Sequence, residues 1–259
     1  MLRGIYTAVS GLLTQEAKQE IITNNLANVN TVGFKSDNLT VKKFDDVLID
    51  RYSNVDGKGV KTHIGTLSMG SRIDSTETSF TQGTIQPTDK DTDFAIEGRG
   101  FFTVRRNDGV SEKDYYSRDG HFHVNGSGYL VNDSGDMVVG LDAGGQEVPI
   151  KVDDNEFTCD SSGNILIGGK QAYKLNLSDF EDYSKLKKIG DNLYDGGEAT
   201  PNQTEFNVHQ KALEKSNVNV INEMTNMMSV MRTFETNQKL IQSLDDTLGK
   251  AVNDVGTIR

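Results

Sequence analysis

The chain has 259 residues, of which 35% are hydrophobic, with 26 glycines, 3 prolines, one cysteine and a net charge of −11. That length holds one or two domains, and low apolar content with many glycines points to turn-rich β structure or to segments that bury surface only on assembly. The lone Cys159 excludes an internal disulfide and a thiolate zinc cluster, and the acidic balance argues against nucleic acid, whose phosphates need clustered Lys and Arg.

Residues 1–35 read as an amphipathic helix. Leu2, Ile5, Val9, Leu12, Leu13, Ala17, Ile21 and Leu26 recur at steps of three to five, with Arg3, Glu16, Lys18 and Glu20 between them. Gly4 and Gly11 weaken it by about 1 kcal/mol each. The spacing ends the helix near Asn28 or Asn30, since Asn tolerates a left-handed last turn and Gly33 accepts positive φ. The same interrupted spacing is not the contiguous apolar stretch of a cleavable signal peptide. No run approaches the roughly 18 apolar residues of a membrane span. The chain therefore either stays in the cytoplasm or leaves by a route that keeps its N-terminus, without direct membrane insertion.

Residues 36–89 are polar and weakly periodic, and read as an extended connector with some strand. From 90 to 195, turn signals arrive about every ten residues, among them Asp119-Gly120, Asn125-Gly126, Asp133-Ser134-Gly135, Gly144-Gly145 and Asp160-Ser161-Ser162-Gly163. Strand-like runs separate them: Phe101–Val104, Tyr115–Tyr116, His121–Val124, Tyr129–Val131, Met137–Val139 and Ile165–Ile167. This is an antiparallel all-β domain, followed by a return connector over 196–211.

Residues 212–259 carry the clearest pattern. Met227, Val230, Phe234, Asn237, Ile241, Leu244, Leu248, Ala251 and Val255 step three and four alternately, all apolar but Asn237. That is a coiled-coil seam, and a single polar residue in it can fix register at some cost in stability. Asn219 stands where an N-cap would. Isolated helices are marginal in water, so the seam needs partners. Met224, Met227, Met228 and Met231 spread around the first turns, which suits a surface fitting more than one neighbour. The fold class is therefore α+β: terminal helices forming a coiled coil, an extended connector, and a central antiparallel all-β domain.

Charge follows the same division. Residues 1–35 carry three bases and two acids, residues 212–259 five bases and six acids, and the middle holds the whole excess. Near-neutral ends suit burial against like copies, and an acidic middle suits water.

Signals for chemistry are weak. Gly98-Arg99-Gly100 lacks the third glycine and following helix of a dinucleotide site, and Gly57-Lys58-Gly59-Val60-Lys61-Thr62 does not satisfy the phosphate-loop pattern. His121 and His123 would share a strand face, but no third ligand accompanies them. The acids of 153–160 and 133–136 miss calcium-loop spacing. No catalytic residue, cofactor or metal site is assigned. The competing class is a glycan- or peptidoglycan-binding or cleaving β domain tethered by helices, which requires an exposed, aromatic-lined cleft.

Four blocks resemble the flagellar basal-body rod and hook family. Ser10-Gly11-Leu12 leads through Asn24-Asn25-Leu26-Ala27-Asn28 to Thr31-Val32-Gly33-Phe34-Lys35. Phe80-Thr81-Gln82-Gly83 precedes Asp93-Phe94-Ala95-Ile96-Glu97-Gly98-Arg99-Gly100-Phe101-Phe102, then Tyr116-Ser117-Arg118-Asp119-Gly120. Leu213-Glu214-Lys215-Ser216-Asn217-Val218-Asn219 opens the last helix. The resemblance implies a non-enzymatic axial subunit of the basal body, outside the cytoplasmic membrane. Its terminal helices would line a helical polymer of like copies, with the β domain outside. Its partners would be neighbouring rod and hook proteins and the flagellar type III export apparatus. Assembly residues would then be Leu2, Ile5, Val9, Leu12, Ile21, Asn24, Asn25, Leu26 and Asn28 with the seam from Met227 to Val255. The Asn residues either pair within that wall or simply end the first helix. Phe44 and Leu48, four apart, resemble a short export-gate motif, or else form a small apolar anchor. Within the family, length matches the two larger rod proteins; the opening Met1-Leu2-Arg3-Gly4-Ile5-Tyr6 leans to the proximal type and the uninterrupted Gly-Arg-Gly-Phe-Phe stretch to the distal, which is favoured by a small margin.

Overall fold

The computed structural model describes residues 2–55, 58–107, 112–152, 157–197, 199–202 and 206–255. They form two units, one of Met1–Leu26, Asp37–Glu77 and Val220–Arg259, the other of Ala27–Ser36 and Thr78–Asn219.

In the first unit, helix α1 spans Leu2–Ala27 and α2 spans Val220–Lys250, with a π turn over Ala251–Val255. Between them in sequence lie four strands: β1 (Asp37–Lys43), β2 (Val47–Val55), β3 (Lys58–Leu67) and β4 (Ser71–Thr78). β2 pairs with β3 from Val47↔Leu67 to Val55↔Lys58, and β1 pairs with β4, so one hairpin nests inside the other. The sequence reading of this stretch as connector with some strand undercounts the pairing. β1 alternates half-buried and exposed side chains over only six residues, and six of the eight side chains of β4 face solvent, so the two-residue alternation that marks a strand is short in one and absent in the other.

Asn25, buried at 1% exposure, fixes where α1 stops. Its Nδ2 donates to the Asp37 carbonyl at 2.9 Å and its Oδ1 accepts from the Asp37 amide at 3.0 Å, so one side chain satisfies both backbone groups of the first strand residue. The two helices approach where α1 has glycine. A Cβ on Gly11 would lie 3.1 Å from Asn237 Nδ2, and one on Gly4 3.6 Å from Leu244 Cδ1. Moving up one helix moves down the other, so the pair is antiparallel. The glycine that weakens α1 thus makes room for the polar residue of the seam. Gly11→Ala should change stability by no more than about 1 kcal/mol, its gain in helix propensity offset by the crowding. Gly11→Leu should drive the helices apart and lower α-helical circular dichroism without moving the melting of the β domain.

The second unit is built on a sheet of order β13-β14-β15-β11-β7-β8-β18-β17, with β9, β10, β12 and β16 at its margins. In chain order these are β5 (Ile85–Pro87), β6 (Phe94–Glu97), β7 (Phe101–Asn107), β8 (Glu112–Ser117), β9 (His123–Val124), β10 (Leu130–Val131), β11 (Met137–Asp142), β12 (Glu147–Pro149), β13 (Phe157–Cys159), β14 (Asn164–Ile167), β15 (Lys170–Leu175), β16 (Leu177–Ser178), β17 (Lys187–Gly190), β18 (Leu193–Asp195), β19 (Asn207–Gln210) and β20 (Ala212–Glu214). β19 pairs with β6 and β20 with β5. Residues 207–210 and 212–214, placed by sequence in the return connector and at the head of the C-terminal segment, are thus strands, and α2 begins at Val220, directly after the Asn219 read as its N-cap.

Four connections repeat one device, at Asn125–Tyr129, Asn132–Asp136, Asp142–Gln146 and Asp160–Asn164. In each, the first residue's amide donates to the carbonyl of the fifth, and its carbonyl accepts from a glycine at the fourth position. Those glycines, 128, 135, 145 and 163, hold φ between 74° and 86°, the left-handed region that closes a three-residue hairpin loop. The core holds Phe94, Ile96, Phe102, Val104, Phe122, Leu130, Ile150 and Ile165, all at or below 1% exposure. A second cluster of Phe101, Phe180 and Tyr194 is edged by Phe80 and Tyr183.

Candidate assembly interface

From Met227 in α2 to Ala251 at the start of the π turn, the side chains that are not exposed are Met227, Val230, Phe234, Asn237, Ile241, Leu244, Leu248 and Ala251, and every other one is exposed. They are the seam positions. Only Val230 is fully buried, so the stripe is half-covered along its length. On α1, Ile5, Leu12, Ile21 and Leu26 are likewise half-buried, Ala8 and Ile22 buried, and Val9 and Asn24 exposed. The side chains of Leu2 and Val255 lie outside the described residues. Asn28 accepts from Thr31 Oγ1 at 3.1 Å. Asn25, placed by the sequence either in the wall or at the end of the first helix, spends its amide on Asp37 within the chain.

The contrast between the units is sharp. Among the described residues, every exposed large apolar side chain except Ile189 belongs to the first unit, while its only buried apolar side chains are Ala8, Ile22 and Val230. The described residues of that unit form an apolar stripe with three buried apolar side chains beneath it rather than a core. A half-covered apolar stripe such as that on α2 marks an interaction site. Phe44 lies between β1 and β2 at 37% exposure and Leu48 within β2 at 63%. They sit at the base of the inner hairpin, where the Phe44 amide donates to the Gly70 carbonyl at 3.0 Å.

The second unit contains a feature that no local pattern announced. Glu214, on β20, is 1% exposed and receives two cations. Lys35 Nζ donates to its Oε1 at 2.6 Å, and Arg118 Nη1 to its Oε2 at 3.2 Å. The Gly83 amide donates to Oε1 at 2.8 Å, and the Gly33 amide to the Glu214 carbonyl at 2.8 Å. Lys35 also reaches the Thr81 carbonyl at 2.9 Å, and Arg118 Nη2 the Gly98 carbonyl at 2.7 Å, with its guanidinium 5.4 Å above the Phe101 ring. Burial pulls the Lys35 ammonium below its ordinary pKa, the Glu214 charge opposes this, and Arg118 adds to it. Beside the knot, Asn217 accepts from the Ser36 amide at 2.9 Å and donates to the Ser79 carbonyl at 2.7 Å. Its charges come from positions 35, 118 and 214, so no window of sequence contains the cluster. The one usable signal was that each quoted block carries a charge of its own.

Asp119, next to Arg118, is pushed up to about 6 from 3.8, chiefly by burial, with Asp133 and Asp93 adding repulsion and the His121 amide opposing. A carboxyl raised on folding holds its proton more tightly in the folded state, so stability falls as pH rises between about 4 and 6. Asp119→Asn keeps the acceptor for the His121 amide, which lies 2.9 Å from Oδ1. It should stabilise the fold by about 1–2 kcal/mol at pH 7.5 and by nothing at pH 3.5, as urea melts at the two pH values would read.

His121 Nδ1 lies 2.9 Å from Asp93 Oδ1 and His123 Nδ1 3.8 Å from Asp133 Oδ1, so the two imidazoles take different acids. The aromatics Phe94, Phe101, Phe102 and Phe122 are core residues rather than the lining of a glycan cleft.

Three family models match the chain in order. Flagella basal body rod protein covers residues 5–35, flagellar hook protein FlgE/F/G D1 domain covers 95–167, and flagellar basal body rod FlgEFG protein C-terminal covers 209–254. The chain is 32% identical to the flagellar hook-basal body complex protein FlhO of Bacillus subtilis, over the whole of both chains. This chain belongs to the flagellar basal-body rod protein family. It is also 30% identical to the basal-body rod protein FlgG of Bacillus subtilis, over 98% of this chain and 99% of the relative. With FlgF of Caulobacter vibrioides it shares 32% identity over all of both chains. It is a structural subunit of the rod and hook class. Each matched segment contributes one charge to the buried knot: Lys35 ends the first, Arg118 lies in the second and Glu214 in the third. Among the described residues, no helix is long and apolar enough to cross a membrane.

Proposed function

We propose that the chain polymerises with copies of itself through α1 and α2, which complete their half-covered seam as the coiled-coil wall of a helical tube outside the cytoplasmic membrane. The tube links motor to hook and carries torque along interlocked helices. In this reading the subunit is of the distal-rod type, contacts neighbouring rod and hook proteins, and presents Phe44 and Leu48 to the flagellar export apparatus. The half-covered seam is the observation that carries the proposal, because a stripe of apolar side chains with no core beneath it is stable only when shared.

A chain lacking residues 1–35 should neither polymerise nor enter the rod; its incorporation would contradict the proposal. The rod type is tested by expressing the chain in strains lacking either FlgG or FlgF. Restored swimming in the first alone supports the distal reading, and in the second alone the proximal one.

A further inference from the structure

The knot has an unusual balance. Two cations, Lys35 and Arg118, share one carboxylate, and among the described residues neither meets another. Their other hydrogen-bond acceptors are neutral backbone, the carbonyls of Thr81 and Gly98, and Arg118 also lies over the Phe101 ring. The only anion is delivered by a segment far along the chain, and that segment is held by pairing rather than by a core of its own. β19 lies along β6 from Asn207↔Glu97 to Gln210↔Phe94, and β20 along β5 from Ala212↔Pro87 to Glu214↔Ile85. Val208 enters the main core, Phe206 packs against it and Ala212 is buried, while Gln210 accepts from the Cys159 amide at 2.7 Å.

We propose that residues 206–217 are a clasp that closes last and locks the N-terminal segment 31–36 into the β domain by bringing Glu214 between Lys35 and Arg118. Before it arrives, seating Lys35 beside Arg118 places two like charges in a site that excludes water, and that arrangement is strongly unfavourable. Segment 31–36 therefore stays undocked until the clasp is in place, although the sheet centred on β7, β11 and β15 is complete without either. The two segments that lead in sequence to α1 and α2 are thereby ordered together or not at all.

The charge count gives the proposal a signature that packing alone lacks. Glu214→Gln keeps the shape and leaves two unpaired buried cations. Lys35→Met leaves Arg118 paired with Glu214. Hydrogen exchange on the full chain should therefore show Glu214→Gln raising exchange in 31–36, 81–87 and 207–217 by a hundredfold or more. Residues 101–106 and 137–141 should keep wild-type protection. Lys35→Met should cost less than tenfold in the same segments, and Lys35→Met added to Glu214→Gln should restore at least tenfold. Equal loss across every strand, no loss anywhere, or Lys35→Met as damaging as Glu214→Gln would each overturn the proposal. Should Glu214→Gln fail to fold, pulse-labelled refolding of the wild-type chain decides. Protection of 31–36 and 207–217 appearing together, after that of 101–106 and 137–141, is the expected order; 31–36 becoming protected before 207–217 would refute it.

Discussion

Replacing Ile241 and Leu244 together with aspartate should abolish polymerisation while leaving the unfolding of the β domain where it was. Both side chains are half-buried in the chain alone, so much of their surface is already wet and a carboxylate there costs little. In the completed seam each would be buried against neighbouring helices, where an unpaired charge costs several kcal/mol. Every added subunit repeats that cost, which a cooperative polymer cannot absorb. Sedimentation reads the first effect and thermal melting the second. A double variant that still forms long polymers would show that the seam is not what holds the copies together.

Gly83→Ala should lose about 3 kcal/mol or more, a large share of the stability of a domain of this size. A methyl group there would overlap the Lys215 carbonyl oxygen, and both sides of the clash are main chain. Neither can swing aside as a side chain would, because the Gly83 amide is bonded to Glu214 and the Lys215 amide to the Thr84 carbonyl at 3.0 Å. Gly126→Ala supplies the control. A methyl there meets nothing within 4 Å, so its effect should stay within about 0.5 kcal/mol. Denaturant melts of the pair compare the two directly.

What could be read from sequence followed from how local its cause is. The α2 seam was legible position by position, because a helix maps a three-and-four spacing onto one face whatever lies opposite. The strands of the central domain were legible where turn glycines bracket apolar runs, as around β10 and β11. β19 was not, since Asn-Val-His-Gln has one apolar residue and no alternation; its partner β6 makes it a strand. In the stretch 37–78, β4 was hidden because nearly all its side chains are exposed, and β1 because its alternation is short. For Asn25 the sequence leaves open a role in the wall or at the end of the first helix, because an amide's choice between a neighbouring copy and its own chain is a matter of geometry; within the chain it holds the Asp37 backbone. The knot was invisible for the same reason at longer range: Lys35 and Glu214 are 179 positions apart.

Hydrogen exchange on monomer and polymer of the same preparation tests most directly whether α1 and α2 take their stability from other copies. In the monomer, amides of 5–26 and 227–250 should exchange far faster than those of β7 and β11, and on polymerisation they should become as slow. Helices that in the monomer already resist exchange as well as β7 and β11 would contradict the account.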